Sequence, residues 1–411
     1  MIPYSTFTLP NGLRVVHHYD AASPLVHVNL LYNVGARDEN PAHTGIAHLF
    51  EHLMFGGSLN IPDFDGALEL AGGSNNAWTS NDFTDFYESI PPVNLSTALR
   101  AEADRMEQLL LTDRSLEVQR KVVVEEFKQV CLNRPYGDFG HILRPLIYRE
   151  HPYRIPTIGR CPEDIMECPA EEIRRFYHTH YSPSNAVLAI AGPVSLEEAR
   201  GEVERWFGPV KPRPVAPRLY APEPEITEAR RLTVTRPVPQ TSVTICFPMG
   251  AYMAPGYREA DLITDVLASG ISSRFYRRLV MGTDIFTSAD ASISGSDEPG
   301  YLKVGGWLRG NSDADVARAE AALWEQLEKM ATEGPSDYEL ESALNRFESR
   351  TLLSWVSCRS KALLLATAVM QNVDINTQVD YYRQATASGL RSEASRILRP
   401  EGACTLIYRA E

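Results

Sequence analysis

The chain has 411 residues, 44% hydrophobic and 23% charged, which is enough apolar material for two or more cored domains and excludes a disordered chain. A net charge of −13 at pH 7 argues against broad binding to nucleic acid. The longest apolar runs, residues 186–191 and 362–366, fall far short of the roughly 18 residues a membrane-crossing helix needs, so no membrane partner is expected either.

Residues 1–16 hold Thr, Pro, Asn and Gly where a signal peptide needs a basic start and an apolar stretch. Six cysteines (Cys131, Cys161, Cys168, Cys246, Cys358 and Cys404) are scattered without close pairing and read as reduced thiols. The expectation is a cytoplasmic, bacterial protein, or a periplasmic one had a leader been removed.

In chain order, residues 6–9 and 13–16 flank Asn11-Gly12, a strong hairpin signal. The next strand alternates, with Val26, Val28, Leu30 and Tyr32 on one face and His27 and Asn29 on the other, so His27 is expected on the solvent side. Residues 44–55 then read TGIAHLFEHLMF, whose apolar positions Ile46, Leu49, Phe50, Leu53 and Met54 make one helical stripe. At about 100° per residue, His48, Glu51 and His52 share the opposite face, and two imidazoles one turn apart converge on one point.

Two neutral histidines leave a zinc site short of a third protein ligand, and a carboxylate is the usual complement where a position stays open for water. A helix around residues 119–130 has the stripe Val122, Val123, Phe127 and Val130, with Glu126 inside it and Glu125 outside. A carboxylate on a buried face needs a cation, which makes Glu126 the expected third ligand. Glu51, spare on the histidine face, is the expected general base of a peptide-bond hydrolysis without a covalent intermediate.

Residues 208–225 carry Pro209, Pro212, Pro214, Pro217, Pro222 and Pro224, an extended connector that divides the chain nearly in half. Strand-like residues 242–247 and a helix over 259–268 follow in the order seen in the first half. The expectation is an α+β protein of two homologous domains, 1–208 and 226–411, each an antiparallel sheet with helices packed on one face, joined by the linker 209–225.

With its H-x-x-E-H at His48 to His52 and a carboxylate 74 residues later, the chain resembles the inverted-zincin peptidases, the pitrilysin or M16 family, which includes insulysin and the mitochondrial processing peptidase. Further family-like stretches are GGSNNAWTSNDFTDFY (72–87), HPYRIPTIG (151–159), FYHTHYSPSNAVLAIAG (176–192) and SGISSRFYRRL (269–279). The resemblance implies that His48, His52 and Glu126 bind one zinc per chain, that Glu51 is the base, and that Asn76, Ala77 and Trp78 on an edge strand capture an extended peptide substrate. Gln119 stands where many members carry a second glutamate, so its support of the ligands would be by hydrogen bonding. His43 and His151 read as structural or solvated.

A larger departure from the family pattern lies in the second half. Active relatives carry an Arg and, seven residues later, a Tyr that bind substrate; here those positions are Val280 and Thr287, neither able to replace them. The implied solution is a heterodimer in which this chain brings the zinc and a homologous subunit brings the Arg and Tyr around a closed chamber. A homodimer, or an idle structural subunit like the family's respiratory-complex core proteins, is the alternative.

Overall fold

Asn11-Gly12 turns the chain between β1 (Ser5–Thr8) and β2 (Arg14–Tyr19), with Gly12 at φ +90°, a backbone region that glycine enters without penalty. With β3 (Val26–Tyr32), β4 (Ser74–Thr79), β5 (Thr84–Ile90) and β6 (Ala186–Gly192) they form a six-stranded sheet of order β1-β2-β6-β3-β5-β4. All neighbours are antiparallel except β2 and β6. The computed structural model describes residues 1–215 and 217–411.

This sheet belongs to the first of two α+β units, made of residues 1–130, 155–220 and 352–377. The second comprises residues 131–154, 221–351 and 378–411. It repeats the plan with β7 (Arg230–Arg236), β8 (Ser242–Pro248), β9 (Phe286–Ser294), β10 (Tyr301–Leu308) and β11 (Cys404–Ala410), in the order β7-β11-β8-β10-β9. Its one parallel pair is β7 with β11.

The units differ from the contiguous domains 1–208 and 226–411 in two exchanged segments. The helix Cys358–Met370, from the second half of the chain, lies on the first sheet, where Ala362, Leu365 and Ala366 pack on Val16, Leu31, Val187 and Ala189. The helix Phe139–Ile147, from the first half, lies on the second sheet, where Leu143 and Ile147 meet Cys246, Cys404 and Leu406. Each sheet therefore has one helix on the face opposite its main helical layer. That cover explains why the polar side of β3 is not open to water: Asn29 is buried against Asp85, and His27 is half-buried with Nδ1 2.8 Å from the Ser89 hydroxyl.

On the other face of the first sheet sits the main core, with Val28, Leu30, Tyr32 and Phe86 from the strands and Leu49, Phe50 and Leu53 from the helix Ile46–Leu53. Phe50 is fully buried and stacks on Phe176 at 5.4 Å. A side chain of this size stabilises the fold by roughly 2–3 kcal/mol when buried. The apolar stripe read from residues 44–55 thus becomes the surface that fixes this helix to the sheet.

Candidate metal centre

The helix Ile46–Leu53, referred to below as the motif helix, is held at both ends. Its N-cap is Gly45 at φ +87°, whose missing side chain is required because a Cβ there would lie 2.9 Å from the Ile158 carbonyl oxygen. Glycine cannot cap through a side chain, and the carboxyl group of Glu39 takes over, accepting from the amides of Gly45 and Ala47 at 2.8 Å each. Beyond the last turn, the Met54 carbonyl accepts from Arg105 Nη1 at 3.3 Å. Arg105 is itself fully buried, paired with Glu102 and packed over Phe64 and Phe86.

The second element is the helix Asp113–Phe127, whose first turn is closed by a capping box between Thr112 and Ser115. Its buried residues are Leu116, Val123 and Phe127. Val122 and Val130, expected in the buried stripe, are exposed, because the helix turns its narrow apolar edge inward and gives way to a π turn at Lys128–Leu132. Glu126 and Glu125 separate as their positions on the helix require: Glu126 is half-buried, whereas Glu125 is exposed and pairs with Lys128 at 2.6 Å.

Glu126 Oε2 lies 3.6 Å from His48 Nε2 and 3.3 Å from His52 Nε2. The two imidazoles stand edge to face at 4.9 Å, and the three donor atoms all fall within 4.8 Å of one another. Atoms bonded at about 2.0–2.2 Å to a common tetrahedral centre are roughly 3.3–3.6 Å apart, so the spacing of Glu126 from the two imidazoles fits zinc. Side-chain exposures of 14% for His48, 25% for His52 and 38% for Glu126 leave the point they surround open to water and substrate.

Electrostatics favour a cation in the same place. Burial pulls the His48 imidazole below its ordinary value despite Glu126, which leaves a neutral lone pair. The hydrogen bond from His52, with the pull of both histidines, holds the Glu126 carboxyl below its usual range although burial opposes it. A neutral His48 imidazole facing an ionised Glu126 carboxylate is the pairing a divalent metal needs at those two ligands. His48 Nδ1 is buried without a hydrogen-bond partner among the described residues, so this ligand lacks the usual carbonyl or carboxylate behind it.

Glu51 projects from the same helix and is not among the three converging donors. Its Oε2 accepts from the Thr79 hydroxyl at 2.6 Å, a contact that sequence reading missed although Thr79 lies inside the stretch 72–87. Thr79 ends β4, which carries Asn76, Ala77 and Trp78 and among the described residues pairs only with β5, so one flank of this edge strand is unpaired there, beside the motif helix. Asn76 is exposed, and its side chain accepts from the Ala77 amide at 2.8 Å. Gln119 is half-buried on the Glu126 helix, and no described hydrogen bond ties it to the three ligands.

The second unit carries no equivalent of this cluster among the described residues. Val280 closes the π turn Tyr276–Val280. The Thr287 hydroxyl is engaged by the Trp307 carbonyl at 3.1 Å and by Gln240 Nε2 at 3.3 Å. Arg274, in the family-like stretch 269–279, forms a two-pronged pair with Glu339 at 2.8 and 2.9 Å and donates to the Gly334 carbonyl.

Residues 14–158 match the family described as insulinase (peptidase family M16), and residues 168–347 match the one described as the peptidase M16 inactive domain. The zinc protease PqqE of Helicobacter pylori is 28% identical over 388 residues, which cover 93% of this chain and 86% of that one. The crystal structure of a protease from Helicobacter pylori superposes with a TM-score of 0.91 at 25% identity, each chain being covered in full. Pitrilysin shares the fold, with a TM-score of 0.79 at 19% identity over 99% of this chain but 45% of its own.

Proposed function

Because the chain belongs to the M16 (insulinase) peptidase family, we propose that it is a zinc-dependent endopeptidase in which His48, His52 and Glu126 hold the metal and Glu51 is the general base. The observation that carries this reading is the convergence of three donor atoms beside a carboxylate that does not join them. When bound, zinc supplies Lewis-acid polarisation of a peptide carbonyl and lowers the pKa of water. The remaining work falls to the chain. β4 adds an extended substrate as a further strand through Asn76, Ala77 and Trp78, which lays the scissile bond along the motif helix. Glu51, oriented by Thr79, takes a proton from the attacking water and delivers it to the leaving nitrogen. Gln119 supports the ligand set by hydrogen bonding once the metal is in place.

The partner reading rests on Val280 and Thr287. Neither can bind substrate as the family's Arg and Tyr do, and this chain matches about half of pitrilysin's length. The complete peptidase is accordingly a heterodimer that encloses a chamber for peptides or unfolded segments, this chain contributing the metal half. The six cysteines form no disulfide among the described residues, which supports a reducing, cytoplasmic location. Glu51→Gln tests the chemistry: the variant should keep its zinc and lose peptide hydrolysis by at least about 1,000-fold, whereas retained hydrolysis would remove Glu51 from the mechanism. Adding a homologous chain that lacks the histidines but carries the Arg and Tyr should raise activity steeply. Full activity of the single chain would overturn the division of labour.

A further inference from the structure

A second set of metal-type donors lies in the first unit, away from the triad. We propose that His43, Cys168 and Glu172 form a second metal site, suited to a borderline-soft dication such as Zn²⁺, that staples the turn ahead of the motif helix to the helix Ala170–His180. Their donor atoms all lie within 4.8 Å of one another and combine one imidazole, one thiol and one carboxylate. That mixture selects zinc or cobalt over magnesium or calcium, which prefer oxygen alone.

The three residues come from two places in the chain that the fold brings together. His43 sits in the turn before Gly45, Cys168 between the helices Pro162–Glu167 and Ala170–His180, and Glu172 in the first turn of the latter. Glu172 is held in place from outside: Asn40 Nδ2 donates to Oε1 at 2.7 Å, with Arg175 3.9 Å from the same oxygen, and Oε2 faces His43 Nδ1 at 2.9 Å. This last spacing needs to open by a few tenths of an ångström to admit a tetrahedral ion. Cys168 is 1% exposed, and its sulfur has only a long contact to the Pro169 carbonyl at 3.8 Å. Arg120, on the Glu126 helix, fixes the backbone around it through the carbonyls of Met166 and Cys168.

The site is accessible from one side, since the His43 and Glu172 side chains are 24% and 15% exposed. Burial and then Glu172 push the Cys168 thiol up to about 12, so it remains a thiol until a dication displaces its proton. The bland alternative, a simple His43–Glu172 ion pair beside a buried cysteine, makes a different prediction in the same experiment.

The test is titration of the metal-free full chain with Co²⁺, followed by absorption. The His48–His52–Glu126 triad contains no sulfur, so a near-ultraviolet thiolate-to-cobalt charge-transfer band reports the second site alone. The expected result is a second equivalent of bound Co²⁺ with this band. Cys168→Ser or His43→Ala should abolish the band while the visible cobalt spectrum of the triad remains, which also shows the variants folded. His48→Ala should do the reverse, so failure of the catalytic reading and failure of this one are distinguishable. A single equivalent without the band, or a band that survives Cys168→Ser and His43→Ala, overturns the proposal.

Discussion

Thr79→Val removes one hydroxyl and keeps a β-branched side chain of similar shape on an edge strand. The lost contact is the 2.6 Å bond to Glu51 Oε2, in a half-buried setting. A hydrogen bond to a charged group contributes about 1.5–3 kcal/mol, and a base that drifts by about 1 Å from its productive position can lose about 100-fold in rate. Part of the bond is replaced by water at this partly exposed position, so kcat/KM should fall about 10- to 100-fold, mainly through kcat. Thr79→Ser, which restores the hydroxyl, should recover activity to within about threefold of the parent. Zinc content should not change, because Thr79 is outside the converging donors. Steady-state kinetics with a fluorogenic peptide and metal analysis on the same samples decide the matter. Unchanged kcat in Thr79→Val, or no recovery in Thr79→Ser, would refute the assignment of Thr79 as the residue that orients Glu51.

Glu39→Ala should leave the Gly45 and Ala47 amides without their acceptor and destabilise the chain by about 1–3 kcal/mol in denaturant unfolding, with weaker zinc binding because the motif helix is no longer fixed at its start. In the second unit, Arg274 pushes the Glu339 carboxyl down to about 2 from an ordinary 4.5, chiefly through the hydrogen bonds between them. The folded-state value is below the unfolded one, so this stabilisation is present above about pH 4.5 and is lost as pH falls towards 2. With Glu339 26% exposed, Glu339→Gln should cost about 1–2 kcal/mol at pH 7, and the difference should close near pH 2–3 in acid-denaturation curves.

Much of the centre is legible in the sequence because its geometry is local. His48, Glu51 and His52 are fixed relative to one another by helical spacing, and the choice of Glu126 over Glu125 follows from which side of one helix faces inward. The neighbours that complete the site are not local. Thr79 reaches Glu51 across 28 positions and Glu39 reaches over the turn to cap a helix whose own N-cap is glycine. The only sequence trace of the second is the glycine, Gly45, that stands at the N-cap. Domain boundaries suffered from the same limit. The apolar helices Phe139–Ile147 and Cys358–Met370 look like members of their own halves, and only the buried outer faces of the two sheets show where each packs. Asn29 shows this most clearly, since alternation placed it on a solvent face that a remote helix covers.

The most direct test is an anomalous difference map at the zinc edge from crystals of the zinc-loaded chain. A peak about 2.0–2.2 Å from His48 Nε2, His52 Nε2 and a Glu126 oxygen, with Glu51 outside bonding distance, is the predicted result. A map with no peak between those three side chains, or with Glu51 taking the place of Glu126, would contradict the account.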